Sequence, residues 1–562
     1  MQNEIDIFYE NIINSEKNEI KLFQQYQKLA ENGDKKAQNN LGVCYEKGIG
    51  IEKDEAKAFC WYQKAAENGN KKAQFSLAAE NGVKNAQFNL GIYYEEGIGI
   101  EKDETKAFYW YQKVAENEAK EAQFKLGICY NYGTGIEKDE VKAFHWYQKA
   151  AENGVKQAQF NLGVCYSNGI GIEKDETNAF YWYQKAAENG VKEAQFNLGI
   201  CYEKGIGIER DEVEAFYWYQ IAAKNENKDA QFKLGLYYEV GIGTEKDKAK
   251  AFYWYEKAAK QEFSKAQFNL GICYEEGIGI KKDEAIAFYW YQKAAENGVE
   301  EAQFNLGVFY YNGIGIEKDE VKAFYWYQKA AENGVKEAQF NLGNCYYNGV
   351  GIEKNKVKAF YWYKKAAEQE FSEAQNKLGY CYKEGIGIEK NEVKALYWYQ
   401  QAAENEIKDA QFDLGVCYEK GIGIEKNKVK AFYWYQKAAE NGVKEAQFNL
   451  GNCYGNGIGI VKDEVKAFYW YQKAAENGNE IAMFNLAISN RYCSGEGTEK
   501  NLEKAFYWYQ KSAENGYKKA QFNVGVYYEK GIGIKKDKAK AFHWYQKAAE
   551  NGIKEAQFNL GL

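Results

Sequence analysis

The chain has 562 residues, 45 % of them hydrophobic and 28 % charged, with a formal net charge of −7 at pH 7. It is too apolar for a disordered chain. Its weak, interspersed charge, with Arg210 and Arg491 as the only arginines, offers no basic stripe for phosphate and argues against nucleic acid as a ligand.

The first residues, MQNEIDIFYENIINSEKNE, lack the basic and apolar regions of a signal peptide. No run reaches the ~20 apolar residues of a membrane span, so no membrane span is expected. Length alone suggests roughly three to five domains. An internal repeat overrides that estimate, because each unit of a repeat array packs on its neighbours. Ala323–Gly343, AFYWYQKAAENGVKEAQFNLG, returns unchanged as Ala431–Gly451, and in altered form about every 36 residues.

In chain order, residues 1–15 form a degenerate N-terminal capping segment. Tyr9 to Lys17 aligns with a helix end and loop, but Ile12 and Asn14 stand where glycines belong, and Gln25 follows where a tryptophan belongs. Residues 16–562 are the repeat array. Near 65–90 a short duplication, AAENGNKKAQFSL followed by AAENGVKNAQFNL, spaces Ala58 and Ala107 by 49 residues, 13 more than the period. This predicts an extra short helix and a local change of course. Ala467 and Ala505 are 38 residues apart, a two-residue insertion near 487–492. At Leu562 the chain stops inside a first helix, leaving an unfinished repeat.

Each unit holds two helical patterns. In the first, Ala338, Leu342, Cys345 and Tyr346 fall on one face from Lys336 to about Tyr347. Gly343 beside them predicts close approach of a neighbouring helix. In the second, from Glu320 to Asn333, Ala323, Trp326, Tyr327, Ala330 and Ala331 share a stripe, with Lys322, Gln328, Lys329 and Glu332 on the solvated flank. Asp319 is placed to cap this helix, and Gly334 to stop it. Helices of about three turns do not stand alone in water, so stacking must stabilise them. All 14 tryptophans, from Trp61 to Trp544, hold one repeat position, read as core rather than as a sugar-stacking ladder. The Gly-x-Gly of Gly313-Ile314-Gly315 follows a helix and lacks a third glycine, so it is read as loop geometry rather than a phosphate cradle.

Nine of the 11 cysteines, Cys44, Cys129, Cys165, Cys201, Cys273, Cys345, Cys381, Cys417 and Cys453, occupy one slot that takes Tyr93, Tyr237, Phe309 or Tyr527 in other copies. Such a slot is a packing position, and its copies lie too far apart for disulfides. Buried free thiols point to a reducing, cytoplasmic setting. His145 and His543, the only histidines, share the slot of Tyr325 and Cys60, a tolerant surface position. No metal spacing and no cofactor motif appears. The carboxylates repeat on solvated flanks, so the chain is read as no enzyme.

The succession Ala-Gln-Phe-Asn-Leu-Gly-x-Cys-Tyr, Gly-Ile-Gly and Lys-Ala-x-x-Trp-Tyr-x-Lys-Ala-Ala-Glu resembles the Sel-1-like repeat family, relatives of the tetratricopeptide repeats. Leu342 to Tyr346 also matches the tetratricopeptide pattern, although Gln339 replaces its Trp. The resemblance implies an all-α, right-handed α-solenoid of about fifteen 36-residue two-helix repeats. It also implies a protein–protein adaptor, in signalling, quality control or cell-wall synthesis regulation. Cysteine-rich bacterial relatives pair two cysteines per repeat, and some are linked to β-lactam binding; one buried cysteine per repeat departs from that branch. The alternatives to an adaptor are a passive architectural spacer or a hydrolase of that cysteine-rich type.

In the related tetratricopeptide arrays the first helices line the inner surface, and the resemblance implies the same here. Asn341 stands near an exposed edge of its first helix. Its slot holds Asn89, Asn161, Asn197, Asn269, Asn305, Asn449, Asn485, Asn523 and Asn559, interrupted by Lys125, Lys233, Lys377 and Asp413. A side-chain amide both donates and accepts. The row, chiefly Asn89, Asn161, Asn197, Asn269, Asn305, Asn341 and Asn449, is therefore a candidate peptide-backbone site, with the interrupting charges supplying selectivity. The competing expectation is that each Asn bonds within its own repeat.

Overall fold

The computed structural model describes residues 18–68, 77–492 and 502–560, without the side chains of 68, 77–83 and 489–492. Every regular element among the described residues is a helix. By its contacts the chain divides into two compact units, Met1–Lys282 and Asp283–Leu562. Each is a stack of helix pairs, an all-α repeat fold of the α-solenoid kind.

The repeat geometry follows from a few side chains. The second helix Glu320–Glu332 starts at Asp319, whose carboxylate accepts from the amides of Val321 and Lys322 at 3.1 and 3.0 Å. It ends at Asn333 and Gly334, where φ is +100° and the Val335 amide returns to the Ala330 carbonyl at 3.1 Å. Glu118, Glu226, Glu262, Glu370 and Glu406 take the place of that glycine in five repeats and hold φ between 60° and 63°. An L side chain adopts this region at a cost of ~1–2 kcal/mol. The first helix Lys336–Asn348 begins at Val335 without a side-chain cap and closes on Gly349, whose amide bonds to the Cys345 carbonyl.

Between the helices Ala323, Ala330, Ala331, Ala338, Leu342 and Cys345 are almost fully buried. The close approach expected at Gly343 is present. A methyl group built there would meet Cδ1 of Tyr363 at 2.6 Å, so the tyrosine ring of the following second helix lies flat on bare backbone. Tyr327 lies on Gly307 in the same way. The largest ring in the core is thus this tyrosine, 3 % exposed at Tyr327, and not the tryptophan. Trp326 is half-buried at the edge, with Tyr325 edge-on at 5.1 Å and Lys329 Nζ at 5.4 Å from its ring centre. Consecutive helix residues point about 100° apart, so one of the two must leave the seam. Tyr is the ring that combines a flat apolar face with a polar tip able to reach the edge.

The loop after each first helix behaves as loop geometry. At Gly315 a Cβ would meet the Glu284 carbonyl oxygen at 2.3 Å, which places the loop backbone hard against the start of the preceding second helix.

The capping segment 1–15 lies outside the described residues, which begin with a helix over 18–31 paired with Lys35–Lys47. At the duplication, residues from Leu77 onward continue into the first helix as one helix, Leu77–Glu96, of 20 residues. Residues 69–76 lie outside the description. So do 493–501, which follow the helix Glu480–Tyr492 and include Cys493. The last described helix is Lys554–Leu560.

Candidate functional site

The first helices carry two rows of carboxamides. The sequence reading missed the first, a buried ladder of glutamines. Gln339 is 4 % exposed; its Nε2 donates to the Ala331 carbonyl at 3.1 Å, and its Oε1 accepts from Gln369 Nε2 at 2.8 Å. Each such glutamine ties together the ends of the second helices before and after it. Gln159 does so through Ala151 at 3.2 Å and Asn189 at 2.9 Å, and Gln447 through Ala439 at 3.1 Å and Asn477 at 2.9 Å. The sequence did hold a signal for this ladder, a Gln in nearly every first helix and an Asn or Gln 30 residues on, with Met483 as the exception.

The second row is the predicted one. Asn89, Asn161, Asn197, Asn269, Asn305, Asn341 and Asn449 all lie half-buried on their first helices. Tyrosine hydroxyls of the preceding second helix face them: Tyr62 faces Asn89, Tyr183 faces Asn197, Tyr255 faces Asn269, Tyr327 faces Asn341 and Tyr435 faces Asn449. Burial pushes all these phenols well above their usual range, and the facing amide pulls slightly the other way. Asn161 faces Tyr147 Oη, which is buried without a hydrogen bond of ordinary length. For Asn161, Asn197, Asn269, Asn341 and Asn449 the facing phenol is thus a side-chain hydrogen-bond partner.

Many of these tyrosines donate instead to a glutamate 16 residues earlier. Tyr435 bonds Glu419 at 2.7 Å, and Tyr111 bonds Glu95 at 2.6 Å. Two interrupting charges of the row join this system. Lys125 Nζ reaches Glu95 at 2.7 Å, and Lys233 reaches Glu203 at 2.8 Å. Burial works to raise the Glu203 carboxyl, but the bonds from Lys233 and Tyr219 outweigh it and hold the group below its usual range. These two lysines are therefore neutralised at home. Asp413 differs. Burial raises its carboxyl to about 6, and the pull of Lys383 and Lys377 is opposed by Asp409 and Glu384.

One pocket of about 330 Å³ opens beside the row. Asn341, Asn344, Asn348, Asn312, Tyr311 and Tyr327 wall it, over Val308, Cys345 and Val350. Two departures from the repeat create it: Tyr311 stands in the slot of Glu275 and Glu419, and Asn344 in that of Val308 and Val416. Asn344 accepts from the Tyr363 hydroxyl at 2.8 Å.

Other candidates hold no chemistry together. His145 and His543 are exposed and lie edge-on to Trp146 and Trp544 at 5.5 and 5.8 Å. Among the described residues, no three His, Cys, Asp or Glu side chains converge as metal ligands would. The ten described cysteines carry free thiols, nine buried and Cys60 exposed. Burial, with a smaller push from Glu320, takes the Cys345 thiol up to about 12. No helix among the described residues is long and apolar enough to cross a membrane.

A stack of near-identical helix pairs, closed by αL glycines and joined by buried glutamines, defines the class of α-helical tandem-repeat proteins. The Sel1 repeat family matches fourteen stretches, from residues 35–70 and 84–118 through to 481–517 and 518–553. The chain belongs to that family. It is similar to c5321, a protective antigen of uropathogenic Escherichia coli strains displaying an SLR fold. The identity is 32 % over 85 % of this chain and 98 % of that one, with a TM-score of 0.70. A Sel1 repeat protein from Oxalobacter formigenes is 31 % identical over 53 % of this chain and 86 % of its own, with a TM-score of 0.43. No curated protein matches the chain. Repeat solenoids of this kind typically serve as non-enzymatic protein-interaction scaffolds.

Proposed function

We propose that this chain is a scaffold that holds an extended polypeptide against the faces of its first helices, through the backbone and largely regardless of sequence. One observation carries the reading. The glutamine carboxamides are engaged inside the protein on both donor and acceptor, whereas the asparagine carboxamides, half-exposed and one slot repeated, meet a single facing phenol and present the rest of their capacity to solvent. An extended backbone needs alternating donors and acceptors, and a side-chain amide supplies both without charge. Because Lys125 and Lys233 are paired at home, the charged selectivity of the row falls to Lys377 and Asp413. The reading fits a role in signalling or protein quality control. The unreactive buried thiols fit a reducing, cytoplasmic setting.

The test uses reduced, carboxymethylated α-lactalbumin, a permanently unfolded chain, as probe in fluorescence anisotropy. Replacing Asn305, Asn341 and Asn449 together by Ala should weaken its binding about tenfold, with the melting temperature nearly unchanged. A triple variant that melts several degrees earlier and still binds would make the row structural.

A further inference from the structure

The pocket at Tyr311 and Asn344 asks for a ligand that the rest of the row does not. None of the side chains lining it is charged. At the equivalent place three repeats further along the same unit, Glu419 brings a carboxylate and takes the Tyr435 hydroxyl at 2.7 Å. Here the carboxylate is gone and a phenol ring stands in its slot, 40 % exposed, with its centre 6.5 Å from that of Tyr327. Lys318 Nζ lies 5.5 Å from the Tyr311 ring centre.

The polar inventory is equally specific. The Asn344 carbonyl is taken by the Tyr363 hydroxyl at 2.8 Å, so its two N–H bonds remain to donate. Asn312 and Asn348 are exposed amides at the rim, and Asn341 stands against the Tyr327 hydroxyl. Four carboxamides and two phenols are therefore gathered around about 330 Å³, at the lower end of the ~300–1,000 Å³ of small-molecule sites. A single side-chain amide of a bound polypeptide would answer one of those four groups and leave the rest to water. A ring carrying several hydroxyls, each both donor and acceptor, answers most of them, and its flat C–H face suits the exposed Tyr311 ring.

We propose that this pocket binds one neutral pyranose ring, with Tyr311 against its apolar face and the Asn341, Asn344 and Asn348 amides on its hydroxyls. The site shares Asn341 with the polypeptide row, but Tyr311 and Asn344, the residues that test it, lie outside the row's slot.

The full chain is probed by saturation-transfer NMR with the methyl glycosides of glucose, galactose, mannose and N-acetylglucosamine. Transfer to at least one of them is expected. It should fall at least tenfold in both Asn344→Val and Tyr311→Glu, which restore residues that other repeats carry and therefore preserve the fold. Asn452→Val, a change at the same slot in a joint that retains Glu419, should leave transfer unchanged. Absence of transfer to every glycoside overturns the proposal, as does transfer that survives the Tyr311→Glu, Asn344→Val double variant. Transfer to the tripeptide Gly-Gln-Gly and to no glycoside overturns it in favour of an amide side-chain pocket.

Discussion

Gln339 and Asn341 carry the same functional group two residues apart on one helix, which turns them about 200° from each other. The glutamine, one methylene longer, reaches between two helix ends and has both its donor and its acceptor satisfied at 3.1 and 2.8 Å. The asparagine stops at a half-exposed edge beside a phenol. Repeated along the chain, the first becomes a seam and the second a surface. Periodicity alone is thus no sign of function; what separates the rows is whether their hydrogen-bonding capacity is consumed at home.

The contrast is easiest to break in the core. Gln339→Ala removes two hydrogen bonds, one to the Ala331 carbonyl, which keeps the Gly334 amide at 3.1 Å, and one from the exposed Gln369; at ~0.5–1.5 kcal/mol net for each bond, a loss of ~1–3 kcal/mol is expected. Asn341→Ala should stay within about 0.5 kcal/mol, as surface changes do. Hydrogen exchange in the helices Glu320–Glu332 and Lys336–Asn348 reads both variants. Equal loss of protection in the two would erase the distinction between the rows.

Asp413 sharpens the comparison from within the row, since it is the row's one carboxylate and is half-buried. Its folded pKa, about 6, lies above the ~3.9 of an unfolded Asp. The folded state therefore holds the proton more tightly. Its destabilisation is fully present above pH 6 and is relieved as pH falls from 6 towards 4. Asp413→Asn should then raise stability at pH 8 by ~1–2 kcal/mol and change it little at pH 4, measured by urea unfolding at the two values. A gain of the same size at both would show that burial is not the cause.

The smallest effect concerns the helix ends that the glutamine seam joins. Glu226→Gly removes a side chain from φ 61°, and ~1 kcal/mol of stabilisation is expected. Part of that is offset by the greater freedom of Gly in the unfolded chain. A fall in melting temperature would mean that the glutamate makes a compensating contact.

Much of the repeat was legible. The period, the Asp319 cap, the Gly334 stop and the close approach at Gly343 follow from residue types whose backbone demands are few. The exchange of Trp326 for Tyr327 in the core was not, because both lie on the apolar stripe and the choice depends on which ring fits bare backbone at Gly307. The Gln ladder was written in the 30-residue spacing but reads as polarity until helix ends are known to converge there. The pocket was visible only as two departures from consensus, Tyr311 and Asn344, whose meaning required them to face one space. The home pairing of Lys125 and Lys233 lay in a second variable slot, at Glu95 and Glu203, that sequence order keeps 30 residues away.

Because every glutamine makes its seam with the same local sequence on either side, the joints are interchangeable. Deleting residues 336–371 would bring Ser372 to follow Val335, and Gln375 would meet Ala331 where it now meets Ala367 at 3.5 Å. The identical stretches Ala323–Gly343 and Ala431–Gly451 lie three repeats apart, so joining one to the other would remove three whole repeats and keep the seam in register. Array length becomes a heritable dial, and each repeat gained or lost adds or removes one place on the row without disturbing the others.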